Sequence, residues 1–187
     1  MVSPLSATAD DWDFDDLMAA LSEHSSFSAD FNEERSSFFL SRPLKLSGHI
    51  IFDSNDRMEK IVTEPFSERI IIDEEAVVIH RTNEDGKNEA THTTRYSLAK
   101  YPFLSKAIKA VSNVFSGQRE LLEELYHWQL SGEREAWELV LEPRDEDLAE
   151  FITSISVRGT DGVITYIHSL EADGDESSMQ LVNRTEN

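Results

Sequence analysis

The chain has 187 residues, 39% of them hydrophobic, with 37 acidic against 17 basic side chains for a formal net charge of −20, and no cysteine. That length suits one globular domain, 1–187, with a sizeable core. The charge repels phosphate backbones and anionic lipid surfaces at long range, local basic patches aside, and disfavours nucleic acid as a partner, and the lack of cysteine excludes disulfides, thiol nucleophiles and thiolate metal sites.

The opening MVSPLSATADDW has neither a basic nor an apolar leader region, although Ala7-Thr8-Ala9 matches the small-residue pattern of a signal-peptide cleavage site. Residues 1–12 are expected to be flexible or the remnant of a secretion signal. A helix is predicted over about 14–24, where Phe14, Leu17, Met18 and Leu21 recur at offsets of three and four behind an aspartate-rich cap. From Ser26 the period changes to two: Phe27, Ala29 and Phe31 alternate with polar residues, which predicts a strand. Further strands are predicted over 44–52, 57–63, 68–72 and 77–81, separated by the turns DSND, EPF and DEEA. In the first of these, Leu44, Leu46, Gly48, Ile50 and Phe52 share one face. NEDGKN at 83–88 is a polar loop with an Asp85-Gly86 turn, and 91–96 is rich in β-branched residues.

Pro102 then opens a helical stretch in which Leu104, Ile108, Val111 and Phe115 form one apolar stripe, stopped by Gly117, and a second short helix covers 119–125. Strands return at 126–130, 136–141, 152–158, 163–170 and 178–182, joined by turns at Ser131-Gly132, Thr160-Asp161-Gly162 and Asp173-Gly174-Asp175. No strand–helix–strand alternation occurs, so the fold class is α+β, mainly antiparallel β, with one helix before the sheet and a helical insert in its middle. Ten or so sequential antiparallel strands curl, split or close. A curled sheet has a concave face, and whatever part of that face the helices leave unfilled is a cavity.

In this order and spacing the chain resembles the LolA-like periplasmic lipoprotein carriers from about Phe14 to about Val182. The likeness is carried by FSADFNEERSSFFLSRPLKLSGHIIF, similar to the family's F-x-A-x-F strand and the S-x-G strand that follows, by the hairpin ERIIIDEEAVVIH, and by the run from LVLEPRDEDLAEF to SSMQLVN with its L-x-P-[KR] strand end. One departure stands out: Asp53, Ser54 and Asn55 fall where the family carries a basic-Pro motif whose arginine ties barrel to lid, and Arg57 nearby is not assigned that role. The resemblance implies an unclosed (half) β-barrel of about ten to eleven strands, lidded by helices over an apolar cavity that shields acyl chains. It further implies no enzyme activity and no cofactor, a periplasmic location, a monomer, an acylated lipoprotein or lipid as cargo, and inner- and outer-membrane transfer proteins as partners.

On that reading the wall is formed by Phe27, Phe31, Leu44, Leu46, Ile50, Phe52, Ile70, Ile72, Val77, Ile79, Leu139 and Leu141, and the lid by Leu104, Ile108, Val111 and Phe115. The alternative is an acidic β-rich interaction module with a fully packed core and no lipid ligand. Histidine pairs such as His80 with His92 and the Glu123/His127 spacing form no complete ligand set, so no metal is expected. No nucleophile elbow supports Ser-His-Asp chemistry.

Overall fold

The chain starts in the middle of its own sheet, works outward to one edge, crosses over as helices, and returns inward from the other edge. The computed structural model describes residues 12–53, 57–84 and 89–186; of these, the side chains of 83, 84, 89, 90, 103 and 104 are not described. The segment 1–11, Ser54, Asn55 and the Asp85-Gly86 turn therefore lie outside the described residues, as does the side chain of Leu104.

Helix α1 (Phe14–Ser22) precedes six strands, β1 (Phe27–Ser36), β2 (Leu44–Phe52), β3 (Met58–Glu64), β4 (Ser67–Ile72), β5 (Ala76–Glu84) and β6 (Glu89–Ser97). A 3-10 turn (Leu98–Lys100) leads into α2 (Pro102–Ser116) and α3 (Arg119–Leu125). Five strands follow: β7 (Tyr126–Glu133), β8 (Ala136–Pro143), β9 (Ile152–Thr160), β10 (Val163–Glu171) and β11 (Glu176–Glu186), with a short α4 (Glu146–Ala149) between β8 and β9. They form one sheet of 11 strands in the order β6-β5-β4-β3-β2-β1-β11-β10-β9-β8-β7. Every neighbouring pair is antiparallel. Strands β6 and β7 are the two edges, so the barrel is open, and α2 and α3 are the connection that bridges them.

The helix boundaries follow from local chemistry. Asp13 caps α1 through a box in which its Oδ1 accepts from Asp16 N at 3.0 Å and Asp16 Oδ2 accepts from Asp13 N at 3.3 Å. Pro102 takes the first position of α2, where its missing N–H costs nothing. Gly117 ends that helix at φ +66, a left-handed conformation that glycine adopts without strain.

Register places the apolar parity inward. Phe31 lies between Gly48 and Leu181, Ile50 faces Lys60, Ile70 faces Ile79, Ile72 faces Val77, and Leu139 faces Val157. Phe27, Phe31, Phe52, Tyr126, Leu139 and Leu141 are fully buried on this concave side. One expected turn is displaced. The β7–β8 hairpin turns at Arg134-Glu135 and not at Ser131-Gly132, because Leu130 pairs with Leu139 and Trp128 with Leu141, and a turn three residues earlier would lose both inward pairs. Helix α1 also stops at Ser22, two residues before the expected end, and the short α4 was not foreseen.

Gly48 sits where β2 and β3 shift register, and a Cβ there would lie 1.8 Å from the Ile61 carbonyl oxygen. Gly48→Ala is expected to lower stability by at least the about 1–3 kcal/mol of an overpacked site, read as a reduced urea midpoint. An unchanged midpoint would mean that the two strands are not this close.

Candidate functional site

Helix α2 lies against the concave face and buries Ala110, Val114 and Phe115. The Phe115 ring stands edge-on to Phe27 at 5.2 Å and lies 5.2 Å from Phe52, an aromatic cluster that pins the C-terminal part of the helix to β1 and β2. Beyond this cluster, sheet and helix do not meet fully. A cavity of about 230 Å³ remains, lined from one half of the sheet by Ile50, Met58, Ile70 and Ile72, from the other by Ile155, Ile167 and Met179, and from the helix by Val111 and Phe115. It is larger than the roughly 150 Å³ apolar cavity that is known to stay dry and admit benzene.

The expected wall residues divide in two. Ile50, Ile70 and Ile72 line the cavity together with the expected lid residues Val111 and Phe115. Phe27, Phe31, Leu46, Phe52, Val77, Leu139 and Leu141 are buried in the surrounding core, and Leu44 is half-buried against it. Ile79 is half-buried on the concave parity of β5. Ile108 departs from the stripe: it lines a separate cavity of about 450 Å³ with Ile72, Leu98, Ser112, Asn113 and Leu121. Val111 and Phe115 lie four apart on one face of α2, and Ile108, three residues before Val111, borders the space toward Leu98 and Leu121 instead.

Four polar residues, Glu33, Lys60, Ser169 and Ser177, complete the cavity wall and were not singled out from the sequence. A signal was present. Glu33 has the parity of Phe27 and Phe31, and Lys60 that of Met58 and Val62, so each interrupts an inward-facing apolar run. Glu33 Oε2 accepts from Lys60 Nζ, and Glu33 Oε1 accepts from Arg35 Nε at 2.7 Å and Ser177 Oγ at 2.8 Å. Burial by itself would raise the Glu33 carboxyl, but Lys60 and Arg35 outweigh it and hold the group below its ordinary 4.5. Burial depresses Lys60, and Glu33 restores only part of that shift. The outcome is a charged carboxylate between two cations in an otherwise apolar hollow.

At the end of the sheet beside Glu33 and Ser177, the loop from β1 to β2 projects Phe38 and Phe39, 91% and 90% exposed, with their rings edge-to-face at 5.7 Å. Phe38 N donates to Asp175 Oδ1 at 3.2 Å, which fastens this loop to the β10–β11 turn. His80 is bonded to Thr93 at 2.9 Å, and the pairing of Arg81 with His92 puts His80 and His92 on opposite faces of the sheet. Among the described residues no group of acidic and histidine side chains could hold a metal ion, and no helix is long and apolar enough to cross a membrane.

Residues 6–185 match the family model described as outer membrane lipoprotein carrier protein LolA-like. The chain belongs to the LolA-like family. No curated protein matches it at a significant level. Solved structures that resemble it include a LolA superfamily protein from Nitrosomonas europaea, at 10% identity and TM-score 0.46 over 91% of this chain and 92% of that one. The MucA/MucB complex of Pseudomonas aeruginosa matches at 15% identity and TM-score 0.47, and MucB crystallised alone at 18% and 0.49. The LolA-like chain spans 56% and 61% of those two chains. The family match, and not these distant likenesses, carries the assignment.

In this LolA-like protein the helices are tied down by pairs away from the missing basic-Pro motif. Arg57 pairs with Glu59 at 3.4 Å and with no helix. Instead Lys106 of α2 pairs with Asp145, the cap of α4, and Arg119 of α3 pairs with Asp15 of α1. Arg184 stacks 3.9 Å from the centre of the Phe27 ring and donates to the His24 carbonyl at 2.6 Å, joining β11 to the segment after α1. None of these pairings is visible in residue spacing, because each joins elements far apart in the chain.

The depressed Glu33 carboxyl sets a pH dependence. A group whose folded pKa lies below its unfolded value contributes stability above the unfolded pKa, about 4.5 here, and loses it as pH falls through the folded value. Denaturation midpoints of the parent should therefore fall below pH 4.5 in part through Glu33, and Glu33→Gln should start lower at pH 7 but decline less steeply in that acid range. Parallel curves for the two proteins would remove Glu33 from the account.

Proposed function

We propose that this chain is a single-domain, non-enzymatic periplasmic carrier that shields the acyl chain of a lipoprotein or lipid during transfer toward the outer membrane, between inner- and outer-membrane transfer proteins. The observation that carries this reading is the apolar cavity between the sheet and α2. An unfilled apolar space costs about 24 cal/mol per Å³, whereas an acyl chain entering it gains about 25 cal/mol for each Å² taken out of water. An apolar occupant is thus favoured from both sides. The other reading, an acidic interaction module with a fully packed core, leaves this cavity without a role.

The helices are suited to act as a lid. Among the described residues, α2 is held before Phe115 by buried Ala110 and Val114, by Ala107 against the core and by the half-exposed Lys106–Asp145 pair, and α3 by buried Leu122 and the exposed Arg119–Asp15 pair. Exposed pairs contribute only about 0–1 kcal/mol each, and Ala107 and Ala110 are small side chains, so the described contacts before Val111 bury less apolar area than the Phe115 cluster. The Phe38-Phe39 loop supports delivery at a membrane: its two rings lie in water, and Arg35, Arg42 and Lys45 flank it without an acidic residue between 35 and 45.

Two measurements test the reading. A fluorescent fatty-acid probe should bind the parent and be displaced by unlabelled acyl chains, while Val111→Trp, which fills the cavity from the helix side, should cut probe uptake at least about tenfold with the β-rich circular dichroism spectrum retained. Equal uptake by both proteins would move the ligand out of this cavity. In flotation with phospholipid vesicles, Phe38→Ser with Phe39→Ser should reduce the bound fraction while leaving probe uptake intact. Unchanged flotation would separate this loop from membrane transfer.

A further inference from the structure

The polar wall of the cavity is short of acceptors and long on donors. Glu33 has three of its acceptor positions filled, by Lys60, Arg35 and Ser177. Lys60 carries three N–H donors, of which one reaches Glu33; the others find no acceptor among the described residues, and the Phe31 ring lies 4.7 Å from its nitrogen. Ser169 adds a hydroxyl to the same wall. Glu33 is bonded to both Lys60 and Arg35, Glu68 is matched by Arg81 at 2.5 Å, and Glu171 faces Arg35 from the β10–β11 side, which leaves Lys60 as the cation whose donors are least used.

We infer that the cavity selects a single acyl chain ended by a carboxylate, with the chain along the isoleucine and methionine walls and the head on Lys60 beside Ser169. This rests on the reading of the cavity as an acyl site and names its ligand class. A carboxylate supplies a charged group with several acceptors, matching the spare donors of Lys60. A phosphate would bring more charge than the wall complements. An alcohol head would offer the spare Lys60 donors only a neutral acceptor, a weaker partner than a carboxylate.

Calorimetric titration of the full chain at pH 7.5 with decanoate and with 1-decanol tests the selection. An apolar cavity without a spare cation favours decanol, whose head is the easier to desolvate. The parent is expected to bind decanoate at least about tenfold more tightly than decanol, the factor a charge-assisted hydrogen bond contributes. Lys60→Met should abolish or reverse that preference while keeping decanol affinity, and Glu33→Gln, which removes the competing carboxylate, should strengthen decanoate binding. Methyl decanoate distinguishes a free acid from an esterified chain: an ester that equals decanoate would overturn the requirement for a charged head. Equal binding of decanoate and decanol by the parent, or a preference that survives Lys60→Met, would overturn the proposal while leaving the acyl cavity in place. Binding of neither would instead remove the cavity reading beneath it. Should Lys60→Met fail to fold, the parent ratio and the Glu33→Gln arm still decide.

Discussion

The structure depends on the pairing of β1 with β11. That antiparallel seam, running from Phe27 against Glu186 to Ser36 against Glu176, joins two meanders that otherwise share no strand contact in the sheet order. Because the chain's first and last strands meet at the centre, the two remaining edges, β6 and β7, are consecutive in sequence, and the segment between them must cross the concave face. A helical insert in that position is both connection and cover. The sheet's edges are joined by the 28 residues 98–125 of intervening helix and turn, and an open curled sheet leaves apolar area that those helices shield together with α1 and Leu148 of α4.

How well they shield it is decided by a few rings. Phe115 against Phe27 and Phe52 gives the close packing of an ordinary core. A few residues along α2, at Val111, contact is incomplete and the cavity begins. The helix therefore packs with large rings at its C-terminal part and, before Val111, with the small Ala107 and Ala110 and the Lys106–Asp145 pair. The same division leaves the space between sheet and helix open beside Val111.

The Glu33–Lys60 pair shows what the sheet does with charge. Placing an ion pair on an inward-facing position is expensive unless remaining hydrogen-bonding capacity is met. Arg35 and Ser177 meet that of Glu33, from its own strand and from β11. The cluster links β1, β3 and β11 across the seam and gives the otherwise apolar cavity a polar wall next to the loop that carries Phe38 and Phe39. Polar wall, exposed rings and the acidic β10–β11 turn are thus gathered at one end of the molecule, while α1 lies at the other, its Ala20 carbonyl against Gly162 of the β9–β10 turn.

The sequence by itself determined the elements and their faces. Period-two alternation marked β2 at its observed bounds, the offsets of Phe14, Leu17, Met18 and Leu21 marked α1, and Pro102 with Gly117 bracketed α2, because these signals arise from local geometry that each residue reads from its neighbours. Motif order also carried the family, since a carrier fold repeats the same succession of strands and helices. Only the tertiary structure decided which apolar residues fill the core and which border a void. Phe31 and Ile50 share the concave face, yet the first is packed away and the second faces open space. That difference depends on where α2 lands on the sheet, which no periodicity encodes. The register of β7 with β8, the latches between helices and the meeting of Glu33 with Lys60 across 27 residues of sequence belong to the same class. They are long-range contacts, fixed by the twist and pairing of the whole sheet and legible only once it is assembled.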